Sequence, residues 1–218
     1  MLKFTAVFLI TSFLSLIAFA NDKPSVHCQD SLKIIEEGDV VYISNHNYLF
    51  RQVEKDTMTW ASHVGIAFKD PKNKDWMVYE STWPKSKLTP ICDFLARSFE
   101  EKLEIKRLNR KLIPAEIRVM KMAATNMFGL SYDQGFDYVD AKTSFCSKYV
   151  FKTFQTININ VGVLETFQSL LDKNPSMDLT FWKAWFFGSI PYERLTITPA
   201  SQILDSQFTT VYAFNNKM

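Results

Sequence analysis

Apolar residues recur at strand length in the first half of the chain and at helical spacing in the second, an order that constrains the fold more than any other feature. Gly38-Asp39 opens the run Val40-Val41-Tyr42-Ile43, which has the length and β-branched make-up of a strand. Residues 64–68 and 76–79 predict two more strands, joined through the polar turn Asp70-Pro71-Lys72-Asn73. Residues 103–108 alternate as a half-buried strand does. Beyond them the spacing changes. Pro114 suits a first helical position, Ile117, Met120, Ala124 and Met127 fall on one helical stripe, and Gly129 is placed to end it. Ser144 is the expected N-cap of a helix running through Phe154. Residues 164–172 and 178–187 predict two further helices, with Asn174-Pro175 between them. Strands first and helices second predict the α+β class: a small antiparallel sheet packed with helices.

The start of the chain bears on compartment. Lys3 is followed by an uncharged apolar stretch over residues 4–19, and Ala18-Phe19-Ala20 fits a signal-peptidase site. The stretch is shorter than the roughly 20 residues that span a bilayer. Export with cleavage is therefore expected over retention as an anchor, giving a periplasmic or secreted chain with no membrane span. The expected layout is a signal peptide over residues 1–20, a polar lead-in over 21–37, and a single domain over 38–218. The 25 basic and 23 acidic residues nearly cancel, and no segment concentrates Lys and Arg, which argues against nucleic acid as a partner. Aromatic residues make up 15 %, with 19 Phe, either as a Phe-rich core or as the lining of an apolar substrate pocket.

Three cysteines in an exported chain leave an odd thiol. Cys28 and Cys92 flank the expected hairpin and are candidates for a disulfide, which would leave Cys146 free; three reduced cysteines are the alternative. Cys146 falls in the first turn of the expected helix, where unpaired backbone N–H groups and the positive end of the helix dipole favour a thiolate and could hold an oxyanion. A thiolate with an imidazole base is suited to attack on a carbonyl carbon. His63, in Ser62-His63-Val64-Gly65, is the candidate base. A turn centred between Pro71 and Lys72 pairs His63 with Glu80 across the hairpin, on one face, so that the carboxylate could orient the ring. Read singly, a buried cysteine is more often inert and a strand histidine more often structural; helix position, spacing and export together favour the catalytic reading. His27 and His46 have no carboxylate or cysteine neighbours at metal-ligand spacing, so neither metal nor cofactor is expected.

With these residues in view, the sequence resembles the NlpC-type branch of the papain-like thiol hydrolases in circularly permuted form. Gly38-Asp39-Val40-Val41-Tyr42 resembles that family's Gly-Asp strand, His63-Val64-Gly65-Ile66 its His strand, and Val78-Tyr79-Glu80 the strand with its third polar group. The cysteine segment Phe145-Cys146-Ser147-Lys148-Tyr149-Val150-Phe151 comes last, which defines the permutation. The chain is closer still to the YebB-like subgroup, through Val163-Leu164-Glu165-Thr166-Phe167, Asn174-Pro175, residues 179–194 and Thr198-Pro199-Ala200-Ser201. The resemblance implies Cys146 as nucleophile, His63 as base, Glu80 as orienting group, and Tyr132 as an aromatic hydroxyl near the oxyanion site. It implies amide or ester cleavage in the cell envelope, on a peptidoglycan peptide or a lipid, with lipid-directed acyl transfer as an alternative; a non-catalytic binding module with a buried or bridged cysteine is the rival outside that resemblance. Residues 181–187 are expected either to wall an acyl pocket or to serve as helix core or a docking surface.

Overall fold

The structure is a computed structural model that describes residues 26–215. The expected signal peptide lies outside the described residues. In chain order the elements are α1 (Val26–Ile34), β1 (Val40–Asn45), α2 (Tyr48–Asp56), β2 (His63–Lys69), β3 (Trp76–Glu80), β4 (Lys87–Pro90), α3 (Ile91–Leu95), β5 (Ser98–Leu108) and α4 (Pro114–Asn126). There follow β6 (Ser131–Tyr132), β7 (Thr143–Ser144), α5 (Cys146–Gln155), β8 (Glu165–Thr166), α6 (Phe167–Lys173), α7 (Leu179–Trp185), β9 (Leu195–Thr196), α8 (Pro199–Ile203) and β10 (Phe208–Phe214).

An antiparallel sheet in the order β10-β5-β1-β2-β3-β4 forms the centre. Its six strands exceed the expected four. The two extra ones lie at the edges: β4 ends in Pro90, which an edge strand tolerates, and β10 pairs with β5. Val40, Tyr42, Val64, Ile66 and Phe68 turn one face toward Met120 and Ala124 of α4 and Tyr149, Val150 and Phe154 of α5. Val41, Ile43, Ala67 and Val78 turn the other toward Ile91, Phe94 and Leu95 of α3. Burial on both faces explains why residues 40–43 read as an unbroken apolar run rather than an alternating one.

Asp39 anchors the start of β1. It is buried, accepts two hydrogen bonds from the Arg107 guanidinium at 2.8 Å each, and caps the Glu36 amide. Gly38 before it has a φ of +93°, and a Cβ there would meet the Leu112 side chain at 2.3 Å. The Gly-Asp pair is therefore a bend and an ion-pair anchor.

The expected polar lead-in holds α1, which is tied to α3 by a disulfide between Cys28 and Cys92. That bridge closes 64 residues of chain. Chain entropy assigns such a loop about 4 kcal/mol of stability. Reduction is expected to lower the urea midpoint accordingly, and Cys28→Ala combined with Cys92→Ala should reproduce the effect; unchanged midpoints would contradict the assignment. Among the described residues, no helix is long and apolar enough to cross a membrane.

Candidate active site

Two expectations about the site region need correction. The β2–β3 hairpin pairs Lys69 with Trp76 and Ile66 with Tyr79, which moves its centre one residue beyond the expected point. The turn is longer than the Asp70-Pro71-Lys72-Asn73 motif: Asp70 bonds back to Asp75, and Lys74 takes a φ of +67°. Continuing that register sets Glu80 across from Gly65 rather than His63. A one-residue slip would have sent the two side chains to opposite faces, whereas pairing that moves by two keeps them on the same face as diagonal neighbours. Their contact survives: His63 Nε2 donates to Glu80 Oε2 at 2.5 Å.

The second correction concerns the cysteine helix. Its N-cap is Phe145, with no side-chain hydrogen bond to the helix end, and Ser144 instead sits in β7, paired in parallel with β6. Ser144 is spent on the strand, where its carbonyl accepts from Ser81 Oγ and from the Asp133 amide. Cys146 is thus the first helical residue, and no side chain occupies the amides of that turn. The helix is braced by Ser147 Oγ donating to the Ile197 carbonyl, by Gln202 Nε2 donating to the Ser147 carbonyl, and by buried Lys148, whose Nζ reaches the carbonyls of Asp137, Asp140 and Thr143.

His63 and Glu80 are both fully buried. Burial disfavours an imidazolium, but hydrogen bonding and charge from Cys146 and Glu80 outweigh it and raise the His63 pKa to about 9. Burial likewise works against the Glu80 carboxylate, and His63 and Arg97 overcome it to bring its pKa to about 2. The ring carries its proton at neutral pH. Nε2 is committed to Glu80, and Nδ1 is buried with no hydrogen-bond partner. Phe94 stacks on the imidazole at 5.5 Å between centroids, and Phe50 meets it edge-on at 5.9 Å.

Cys146 is 3 % exposed and borders a small cavity of about 50 Å³. Phe50, Phe136, Phe145, Trp182 and Ile197 give that cavity an apolar wall. Of the aromatic run over residues 181–187, Trp182 is the one that enters the cavity wall, with its Nε1 donating to buried Asp56, while Phe187 is fully exposed. Tyr132 lines the same cavity; its hydroxyl is buried and unpaired, and burial followed by the influence of Cys146 raises its pKa, so the phenol keeps its proton. Arg97 and Thr89, absent from the sequence reading, both donate to Glu80 Oε1, at 2.7 and 2.5 Å. His27 and His46 lie elsewhere, against Phe214 and Phe99.

A sequence model described as the permuted papain-like amidase enzyme, YaeF/YiiX, C92 family matches residues 34–212. The chain belongs to that family. Permuted papain-like amidases are cysteine hydrolases, and a cysteine peptidase or amidase reaction is thereby its class. A crystal structure titled metalloprotein yiiX from Escherichia coli O157:H7 shares the fold, with a TM-score of 0.76 at 22 % identity, over 83 % of this chain and 98 % of that one. Among curated proteins no sequence match was found. Among the described residues, no group of three or more His, Cys, Asp or Glu side chains is arranged to hold a metal ion.

Proposed function

We propose that this chain is an exported amidase of the YebB-like subgroup in which Cys146, His63 and Glu80 act as nucleophile, base and orienting acid on an amide or ester of the cell envelope, a peptidoglycan peptide or a lipid. The observation that carries the reading is the state of the His63 ring: Glu80 holds Nε2, Nδ1 is buried and free of any hydrogen bond, and Cys146 is near enough to help raise the ring's pKa. Export rests on the leader-like residues 1–20.

In the first step the Cys146 sulfur bonds to the carbonyl carbon and the carbonyl π electrons move to oxygen. The first-turn amides of α5 and the Tyr132 hydroxyl are available to donate to that oxyanion. Collapse breaks the bond to the leaving group, which takes the proton from His63 Nδ1 and departs, leaving a thioester. His63, now neutral, removes a proton from water as it attacks, the carbon–sulfur bond breaks, and the thiolate–imidazolium pair returns. Glu80 keeps one tautomer and one ring orientation throughout.

The apolar lining beside Cys146 supports a small uncharged group next to the scissile carbonyl, and the near-complete burial of the sulfur supports a second reading, in which an acceptor other than water takes the acyl group. Intact-mass measurement of the covalent adduct on Cys146, after exposure to cell-envelope fractions and to labelled lipid or wall-peptide donors, tests both. An acyl adduct that decays to free acid supports hydrolysis, and decay only upon addition of an acceptor supports transfer. No adduct from any donor, or modification at another residue, would overturn the proposal.

A further inference from the structure

Glu80 has two oxygens with separate duties. Oε2 faces His63 and Oε1 faces away, taking hydrogen bonds from Arg97 Nη2 and Thr89 Oγ1. Arg97 touches the site a second way. Its guanidinium carbon lies 4.9 Å from the centroid of the Phe94 ring, whose other neighbour is the His63 imidazole at 5.5 Å and an interplanar angle of 29°. One cationic group therefore grips the carboxylate that orients His63 and backs the aromatic ring stacked on it. Arg97 itself follows α3, the short helix that carries both Phe94 and the disulfide to α1. It is 31 % exposed and does not line the Cys146 cavity.

We propose that Arg97 is a positioning residue for the reacting pair: its guanidinium fixes the outer oxygen of Glu80 and, through Phe94, the plane of the His63 ring. The inference rests on the reading of Cys146 and His63 as the reacting groups. Without Arg97 the outer oxygen keeps only the neutral Thr89 hydroxyl, and a carboxylate so held can rotate or take up a proton, either of which releases Nε2 of the imidazole. With Arg97 in place the outer oxygen has a permanent positive partner, so the carboxylate stays ionised and faces the ring edge-on. Thr89 adds direction but no charge.

The titratable and charged groups around Glu80 leave that duty to Arg97. His63 comes from β2, Cys146 and Tyr149 from α5, Tyr132 from β6, and Lys87 is its register partner on β4 but is exposed. His63 is a reactant whose proton leaves during turnover, and the tyrosines carry no positive charge. Arg97 is the cation among them that keeps its charge at every stage and contacts the carboxylate directly.

The rate of iodoacetamide alkylation at Cys146, followed against pH in the full chain, tests this without knowledge of the substrate. In Arg97→Met and Arg97→Gln the pH below which labelling falls off is expected to move up by about one unit, which is about a tenfold slower reaction at a fixed pH on that limb. Arg97→Lys, which keeps the charge, is expected to return the limb most of the way. A limb unmoved in the folded neutral variants would overturn the inference. Failure of both neutral variants to fold while Arg97→Lys folds would also overturn it, by assigning the residue to stability. If parent labelling shows no acid limb and is indifferent to His63→Ala, the reading of the reacting pair fails; if the limb exists and Arg97 does not move it, only this inference fails.

Discussion

Cys146→Ala is expected to lower turnover by at least about 10⁴-fold and to abolish the covalent adduct, because the variant loses the one atom that bonds to the acyl carbon. The fold should survive. The side chain is small, the cavity beside it already exists, and the helix start depends on backbone geometry and on the Ser147, Lys148 and Gln202 hydrogen bonds rather than on the sulfur. A loss of only about 1 kcal/mol in urea unfolding accompanies the change. Measuring hydrolysis with an adduct-forming donor, next to a denaturation curve, separates the two effects. Activity within tenfold of the parent in a folded Cys146→Ala chain contradicts the proposed chemistry.

Glu80 is expected to be the most costly site residue to remove for stability. Both members of the His63–Glu80 pair are fully buried, so Glu80→Ala strands an imidazolium and the Arg97 guanidinium at once, at about 3 to 5 kcal/mol. Glu80→Gln keeps the shape and is expected to cost less in stability while still lowering turnover by about 10²- to 10⁴-fold, since an amide holds the wrong tautomer. The pH dependence follows by sign. Glu80 has its pKa lowered from 4.5 to about 2, so its contribution is complete above 4.5 and disappears as pH falls toward 2. His63 has its pKa raised from 6.5 to about 9, so its contribution is complete below 6.5 and disappears as pH rises toward 9. Unfolding free energy against pH should therefore show a plateau between about 4.5 and 6.5 with a descending limb on either side, and both limbs should shrink in Glu80→Gln. A parent curve flat from pH 3 to 9, within about 0.5 kcal/mol, would contradict the buried ion pair.

The parts of this molecule that were legible in sequence share one property: their signal is local and periodic. β1, β2, β3 and the second half of β5 announce themselves through β-branched or alternating runs, and α4 through its Pro114 start and a stripe that includes Met120 and Ala124. α2 has a local signal too, since Asn47 caps it and Leu49, Phe50 and Val53 share its inner face. β10 carries the β-branched and aromatic run Thr209-Thr210-Val211-Tyr212, but a bulge against β5 breaks its alternation. The hairpin register was out of reach because turn symmetry presumes the shortest closure, and the Asp70–Asp75 bond shows a longer one. The meeting of His63 with Glu80 was nevertheless anticipated because face depends only on parity. Arg97 and Thr89 had no sequence signal, for they reach Glu80 from a loop and an edge strand without periodic pattern. Within residues 181–187 composition marked an aromatic surface, but which ring turns toward Cys146 is decided by the Asp56 carboxylate that receives the Trp182 indole.

The central claim is that one imidazole governs one thiol. Since Cys28 and Cys92 are bridged, Cys146 is the free cysteine of the chain, and its labelling by iodoacetamide at neutral pH can be read by mass without a substrate. The account predicts single-site labelling in the parent that slows by at least about tenfold in a folded His63→Ala chain. Equal labelling rates in the two chains, or no labelling of Cys146 in either, would contradict it.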